Sequence, residues 1–249
     1  MERTVHLWLL RGYLLAAAIT AVALVRVTAP YGRHARGGWG PTVGSAAGWV
    51  LMESPAVLSM GLCWALGRHD AVGTVFLGVW MAHYLHRAFV YSLRRRGSRP
   101  MPLAIALMGA SFNAFNGCLN GRWLFTLGPS REPAWLASPA FIGGLTVFAA
   151  GLALNLHSDE VLLRLRAPGE RGYKVPRGGG FRWVTSPNYL GEMLEWAGFA
   201  TLTESPAAWA FAAYTVANLA PRARAHHRWY RENFPDYPQE RRALVPFVW

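Results

Sequence analysis

Long apolar runs alternate with short polar or basic connections along the whole chain. A helix needs roughly 20 predominantly apolar residues to cross the hydrocarbon core of a bilayer. Length and boundary residues mark seven such segments: Leu7 to Val27, Gly48 to Leu66, Ala71 to Leu93, Pro102 to Phe125, Pro139 to Leu163, Tyr189 to Thr203 and Pro206 to Ala220. The pattern predicts an all-α polytopic membrane protein with seven transmembrane helices, of which the short sixth is partly buried among the others.

Basic residues are concentrated in alternate connections. The chain is 53% hydrophobic and only 15% charged, yet its formal net charge is +12. Of its 25 Lys and Arg residues, 19 follow the first, third or fifth segment or lie in the C-terminal tail, and only Arg3, Arg68 and Arg131 fall on the opposite side. The positive-inside rule therefore predicts a cytosolic C-terminus and an external N-terminus, in a bacterial inner membrane or an endoplasmic reticulum membrane.

The connections are too short to build a separate soluble core, so residues 1–249 are predicted to form one integral domain. Arg11 interrupts the first apolar segment and no A-x-A-like cleavage pattern ends it before Arg26, which favours a membrane span over a secretory signal. Cys63 and Cys118 both fall inside apolar segments, so neither a disulfide framework nor a metal site is predicted.

Several ionisable and polar residues lie inside the apolar segments. Glu53, in Met52-Glu53-Ser54-Pro55, is a carboxylate in the middle of a predicted span. Such a group needs a partner or has to remain neutral, and ionisable groups at membrane depth are usually functional. Tyr84, Arg87 and Tyr91 share one face of the third helix. These residues predict a polar seam that enters the bundle.

The fourth segment repeats Asn113, Asn116 and Asn120 on one face, beside Gly117 and Gly121. The glycines form a small-x-x-x-small pattern that lets another helix approach closely. The asparagines fit two interpretations equally well: hydrogen bonds that hold helices together, or groups that contact a ligand.

Polar residues also gather where the fifth apolar segment ends. Asn155, Ser158, Asp159, Leu162 and Arg166 recur at helical spacing, and a basic glycine-rich loop follows at 168–180. Exposed backbone N–H groups and basic side chains suit a phosphate, although no G-x-G-x-x-G fingerprint is present. Further polar faces follow on the sixth and seventh helices, comprising Asn188, Glu192 and Glu195, and Arg222, His226 and Tyr230. Together they predict a compartment for an anionic cofactor.

At these positions the chain resembles the steroid 5-alpha-reductases. The resemblance rests on the motifs Asn155-Leu156-His157-Ser158-Asp159, Leu165 to Glu170, Tyr173-Lys174-Val175-Pro176, Asn188-Tyr189-Leu190-Gly191-Glu192, His226 to Tyr230, Asp236-Tyr237-Pro238 and Arg241 to Phe247. Parts of this C-terminal pattern are shared with sterol reductases and isoprenylcysteine methyltransferases. Two features narrow the resemblance to the 5-alpha-reductases: Glu53, and the block from His83 to Leu93. Segments 28–45 and 126–140 add nothing to it.

The resemblance implies a seven-helix reductase of 3-oxo-delta-4 steroids that uses NADPH. Glu53 and Tyr84 would bind and polarise the 3-oxo group, while hydride reaches the β carbon of the enone. Residues of about 1–126 would form mainly the substrate side and those of about 139–249 mainly the cofactor side. The residues implied for NADPH are Asn155, Asp159, Arg166, Tyr173, Asn188, Glu192, His226 and Tyr230, together with Arg87 and Arg99. Met108 stands where family members often carry arginine.

The expected partners are a steroid from the lipid phase, NADPH from the cytosol and membrane lipid, with no nucleic acid and no metal. Two alternatives remain open at this stage. One is another enzyme of the wider superfamily, either a sterol double-bond reductase or a methyltransferase that uses S-adenosylmethionine. The other is a non-enzymatic carrier of sterol or lipid, which would leave Glu53 and the polar helix faces without a role.

Overall fold

The computed structural model describes residues 1–95, 99–165, 170 and 172–249. Its long helices lie where the apolar segments predict them. They are α1 Glu2–Arg26, α2 Ser45–Ala65, α3 Ala71–Leu85, α5 Leu103–Arg122, α6 Pro139–Arg164, α7 Pro187–Thr203 and α8 Pro206–Asn233. A single short helical turn, α4 Ser92–Arg94, lies between α3 and α5. A π-helical segment at His86–Tyr91 joins α3 to α4, and another at Trp123–Leu127 extends α5. In the described part of the chain, each predicted segment thus corresponds to one helical rod.

The helices begin where the sequence provides caps. The side chains of Asp70, Ser138 and Ser205 accept hydrogen bonds from the first turns of α3, α6 and α8. Proline at the first helical position starts α6, α7 and α8, because its fixed φ suits a helix and its missing N–H needs no partner there. These local signals explain why the predicted starts of the later helices are accurate to within two residues.

The last helix runs beyond its apolar segment, as the predicted polar face of Arg222, His226 and Tyr230 on the seventh helix requires. α8 continues to Asn233 although the apolar run ends at Ala220, and it contains Pro221. The apolar pattern predicted only the part that suits a membrane, whereas the basic continuation carries His226 and Tyr230 and packs through its buried Ala223, Ala225 and Tyr230. The helix end was therefore set by packing rather than by hydropathy.

Three of the described helices, α1, α2 and α6, are long and apolar enough to cross a membrane. The protein is accordingly a mostly helical membrane protein. The shorter α7 has ten buried residues, including Trp196, Phe199 and Leu202. It lies among other helices, as its short apolar segment predicted.

Two tiny strands tie the loop after α1 to the start of α5. β1, Thr42–Val43, pairs antiparallel with β2, Met101–Pro102, so that Thr42 is opposite Pro102 and Val43 is opposite Met101. A short 3-10 turn at Gly32–His34 precedes this pairing. The loop is therefore fixed at its far end.

Glycines allow α6 and α7 to approach until their backbones touch. A Cβ atom at Gly151 would lie 2.6 Å from Glu195 N, and one at Gly191 would lie 2.6 Å from Asn155 N. Gly144 and Gly198 meet the facing backbone in the same way, seven residues along each helix. No side chain fits between the helices at these levels, so the glycines set their separation.

The pair α2 and α5 uses the same device. A Cβ at Gly117 would meet Ser59 and the carbonyl of Ala56, and one at Gly121 would lie 2.5 Å from the Cβ of Cys63. The small-x-x-x-small contact predicted from sequence is thus confirmed. Asn116 of the same helix provides an interhelical hydrogen bond to α1, since Tyr13 Oη donates to its Oδ1 at 3.0 Å.

The α6–α7 contact predicts a sharp difference between two neighbouring glycines. A Cβ at Gly144 would lie 2.5 Å from Leu202 N, whereas one at Gly143 meets open space. We expect Gly144→Ala to destabilise the protein by roughly 1–3 kcal/mol through overpacking. Gly143→Ala should be neutral or slightly stabilising, because alanine is the better helix former. Thermal unfolding of both detergent-solubilised variants measures this, and equal losses would contradict the packing model.

Candidate active site

One large cavity of about 1580 Å³ lies within the helical bundle. Its lining includes a hydrogen-bonded group of Glu53, Tyr84 and Asn113, which we call the deep end. It also includes the basic residues Arg33, Arg99, Lys174 and Arg222, which we call the basic end. Pockets for a single small ligand usually measure roughly 300–1,000 Å³. The volume and the change from one end to the other therefore suit two ligands placed end to end.

Asn113 links the two candidate catalytic residues at the deep end. Its Nδ2 donates hydrogen bonds to Glu53 Oε2 at 3.1 Å and to the carbonyl of Met52 at 2.7 Å. Its Oδ1 accepts a hydrogen bond from Tyr84 Oη at 3.4 Å. The amide thus fixes a carboxyl group from α2 and a phenol from α3 beside each other. Asn113 was predicted as a polar helix residue, and this linking role was not.

Aromatic packing holds Tyr84 in place. Its ring lies 4.8 Å from the ring of Trp80 and 5.4 Å from that of Trp196, measured between centroids. Trp80 is itself fixed, since its Nε1 donates to the carbonyl of Ala56 at 3.1 Å. The phenol therefore keeps one orientation with its hydroxyl at the cavity, which is the preorganisation that a hydrogen-bond donor in catalysis needs.

Arg87 lies one helical turn beyond Tyr84 and is almost fully buried. Its Nη1 donates to Asp159 Oδ2 at 2.7 Å, and its guanidinium lies over the rings of Trp49 and Tyr91, at 4.9 and 4.6 Å. Burying such a cation is costly unless it is paired. Arg87 and Tyr91 both line the cavity, as the predicted polar face of the third helix requires.

Two predicted cofactor residues lie behind the cavity wall. Asp159 Oδ1 accepts from Asn188 Nδ2 at 3.1 Å, and Asn155 Nδ2 donates to the carbonyl of Asn188 at 3.0 Å. Asn155 and Asp159 are both buried, and neither is among the described residues that line the cavity. They hold Asn188 and Arg87, which do line it.

The remaining predicted cofactor residues meet at or near the basic end. Tyr173, Asn188, Glu192, His226, Tyr230 and Arg99 all line the cavity. Tyr230 Oη donates to the carbonyl of Lys174 at 3.3 Å, which ties α8 to the loop before α7. Arg166 lies outside the described residues. Met108, which replaces the arginine expected from the resemblance, lines the cavity and is 65% exposed.

Sequence analysis missed the loop between α1 and α2. Its residues Tyr31, Arg33 and His34 line the basic end of the cavity. The guanidinium of Arg33 lies 4.4 Å from the ring centre of Tyr230, and that of Arg222 lies 4.9 Å from the ring centre of Tyr31. The signal was present as an aromatic and basic cluster on the predicted cytosolic side. The loop carries none of the motifs on which the resemblance rests.

Two histidines fasten this loop to α8. His34 Nε2 and His226 Nδ1 share a hydrogen bond at 3.0 Å, and the rings stack with an interplanar angle of 3°. His226 Nε2 and Tyr189 Oη share another at 3.1 Å. Burial, reinforced by the charges of Arg33 and Arg222, lowers the pKa of His34 from 6.5 to about 4. His34 is therefore neutral near pH 7, and one ring of the pair donates the hydrogen bond that the other accepts.

The fold and the cavity define a class of protein. It is a helical membrane protein with a large cavity, whose lining combines apolar side chains, a carboxyl group and a phenol at one end with basic and aromatic side chains at the other. Such a cavity can bring a membrane-soluble molecule against an anionic, water-soluble one.

Comparison with known proteins specifies the family. The family model of 3-oxo-5-alpha-steroid 4-dehydrogenase matches residues 99–249. Steroid 5-alpha-reductase DET2 of Gossypium hirsutum is 39% identical over 98% of this chain and 97% of its own. The 3-oxo-5-alpha-steroid 4-dehydrogenase 1 of Homo sapiens is 37% identical over 88% of this chain and 85% of its own. The chain therefore belongs to the 3-oxo-5-alpha-steroid 4-dehydrogenase family of oxidoreductases.

The histidine contact predicts that the loop loosens in acid. Because the pKa of His34 is depressed in the folded protein, the contact is fully stabilised above about pH 6.5 and weakens as the pH falls toward about 4. Hydrogen exchange of backbone amides at 28–41, corrected for the intrinsic pH dependence, should rise between about pH 7 and pH 5.

His34→Phe keeps a stacking ring that cannot be protonated, so its loop exchange should vary less with pH. His69, which bonds a backbone carbonyl on an exposed surface, provides the control His69→Gln. Loop exchange that is independent of pH in the unmodified protein would contradict the assignment.

Proposed function

We propose that the protein reduces the delta-4 double bond of 3-oxo-delta-4 steroids with NADPH and releases 5-alpha-3-oxo steroids. The observation that carries the proposal is the pairing of Glu53 and Tyr84 through Asn113 at the deep end of the cavity. Membership of the family, with relatives of this activity matched over nearly the full chain, supports it.

The deep end suits an enone. As the β carbon accepts hydride, negative charge grows on the carbonyl oxygen, and a donor aimed at that oxygen lowers the barrier. Tyr84 provides a phenolic donor whose ring is fixed by packing, and Glu53 in its neutral form provides a second. Asn113 sets the distance between them. The surrounding apolar walls, which include Phe112 and Phe211, suit the hydrocarbon body of a steroid.

The basic end suits a phosphorylated dinucleotide. Arg33, Arg99, Lys174 and Arg222 all line it, and Arg33 Nη1 is buried without a hydrogen-bond partner among the described residues. Guanidinium groups bind phosphate well because they donate charge-assisted hydrogen bonds. NADPH carries one phosphate more than NADH, so these basic residues favour NADPH. When bound, NADPH supplies the hydride; Tyr173 and Tyr230 provide aromatic surfaces for its rings, and Asn188 and Glu192 provide polar contacts.

The two ligands would enter from different phases. Ile19 of α1 and Met108 of α5 line the cavity and are also among the exposed apolar residues, at 60% and 65% exposure, which supports an entrance for steroid on the apolar flank that these two helices form. The basic end lies on the side to which the positive-inside rule assigns the cytosol. Steroid from the lipid and NADPH from the cytosol would meet within the cavity.

We further infer that all seven helical rods cross the membrane, with the C-terminus in the cytosol. The less apolar helices can also lie in the membrane, because their polar groups are paired inside the bundle, as Arg87 is with Asp159. The concentration of basic residues in alternate connections supports the orientation.

Removing the phenolic donor provides the first test. Tyr84→Phe keeps the ring packing, so turnover of a 3-oxo-delta-4 steroid should fall on the order of a hundredfold or more while the fold survives. Glu53→Gln keeps a donor and should be milder than Glu53→Ala. Steady-state kinetics with NADPH and a panel of enones provide the measurement.

Tyr13→Phe is the matched control, since Tyr13 is a buried tyrosine that is not among the described residues lining the cavity. It should retain turnover despite losing its bond to Asn116. If Tyr84→Phe turned over like the unmodified protein, Tyr84 would have no part in the mechanism.

The two ends of the cavity should have separate mutational effects. Asn188→Ala and Tyr230→Phe should chiefly weaken NADPH binding, whereas changes at Glu53 and Tyr84 should slow steroid reduction and leave nucleotide affinity largely intact. Direct nucleotide binding, measured beside steroid kinetics, separates these outcomes, and the unmodified protein should bind NADPH more tightly than NADH. The reverse assignment of the two effects would overturn the two-compartment arrangement.

A further inference from the structure

A buried ion pair that the steps above do not use lies beside Tyr84. His83 Nδ1 lies 2.6 Å from Glu195 Oε2, and the two side chains are 4% and 0% exposed. The pair joins α3 to α7. The imidazole of His83 also lies 5.0 Å from the ring of Tyr84, centroid to centroid, and His83 lines the cavity.

Holding two helices together by this pair requires the desolvation of two charges, which is energetically unfavourable. Buried ion pairs commonly contribute no more stability than apolar side chains of similar volume. Glu195 Oε1 is buried and has no hydrogen-bond partner among the described residues, so His83 provides the main compensation for this carboxylate. Stability alone therefore does not account for this charged pair, and ionisable pairs beside a cavity are often functional.

The geometry fixes which nitrogen of the imidazole is available. Because Glu195 engages Nδ1, Nε2 is left for other contacts, in the way that an orienting carboxylate sets the tautomer of a catalytic histidine. The charged groups that act on His83 are Glu192 and Glu195 from α7 and Arg87 from its own rod. Glu53 of α2 is close enough to be influenced by His83 in turn.

The proposed reduction needs two protic groups at two different atoms. Tyr84 and Glu53 address the carbonyl oxygen, but the saturated ketone also carries a new C–H bond at the α carbon, two bonds away from that oxygen. A donor fixed at the oxygen cannot also stand over the α carbon. The pair of His83 and Glu195 is next to Tyr84 and is otherwise unused.

We propose that His83 is the acid that protonates the α carbon and that Glu195 is its positioning residue, an inference that rests on the proposed function. Hydride from the reduced nicotinamide adds to the β carbon, and the electrons of the double bond move to form an enolate. The carbonyl then re-forms as the α carbon takes the proton from Nε2 of the imidazolium, and that N–H bond breaks. Neutral His83 regains a proton from water, so each turnover consumes one hydride and one proton.

The reverse of the proton step can be measured without any nucleotide. In D₂O, His83 in its neutral form should remove a proton from the saturated 3-oxo steroid, so that deuterium enters the α carbon that belonged to the double bond. The other α carbon of the ketone, on the far side of the carbonyl, serves as an internal control. Mass spectrometry and NMR of the recovered steroid report the position and the rate of exchange.

His83→Gln should slow this exchange by on the order of a hundredfold, the usual scale of a general acid or base. Glu195→Gln keeps a hydrogen-bonding group but removes the charge, so exchange should slow less, and the pH profile should shift toward lower pH because the imidazolium loses its counterion. The double variant His83→Gln with Glu195→Gln leaves no unpaired charge at this position. It replaces the His83→Gln variant if that variant fails to fold. NADPH binding should be kept in all three.

His6→Gln is the matched control, since His6 is a buried histidine in α1 that stacks on Trp123 and is absent from the described cavity lining. It should exchange like the unmodified protein. If the unmodified protein reduces enones but His83→Gln exchanges at the unmodified rate, the assignment of His83 is overturned and the proposed function stands. If the unmodified protein neither reduces nor exchanges, the proposed function fails and the inference with it.

Discussion

Polar groups inside a membrane need partners within the protein, and the arrangement of the bundle follows from how these partners are met. Arg87, in the π-helical segment that continues α3, meets Asp159 on α6. His83 on α3 meets Glu195 on α7, and Asn113 on α5 meets Glu53 on α2. Each contact joins two different helices. Removing one partner would leave a buried charge or amide unpaired, so the contacts that build the site also specify how the helices fit together.

This constraint explains what could be read from the sequence. The helices were predictable because apolar runs, capping residues and prolines are local signals, and the seam of Tyr84, Arg87 and Tyr91 was predictable from its spacing. The partners were not, because Glu195 is 112 residues from His83 and nothing local connects them. For the same reason Asp159 could be recognised as important while its position behind the cavity wall could not.

The loop between α1 and α2 was missed for a different reason. It has neither helical periodicity nor a motif of the resemblance, and its importance comes from where β1 and β2 and the contact of His34 with His226 place it. The continuation of α8 was predictable in part: hydropathy marks a membrane boundary and says little about where a helix stops, but the helical spacing of Arg222, His226 and Tyr230 indicated that the helix runs past Ala220.

The π-helical segment from His86 to Tyr91 has a geometric consequence. A π turn holds more residues than an α turn, and such turns inside α-helices are frequent at functional sites. Ser92 Oγ donates to the carbonyl of Arg87 at 2.8 Å and thereby stabilises this wider turn. A continuous α-helix through the same residues would rotate by about 100° per residue, more than a π turn does, and would present the residues after it on a different face. The wider turn therefore acts as a register shift within the helix, and it sets the face on which Tyr91 lies at the same cavity as Tyr84 and Arg87.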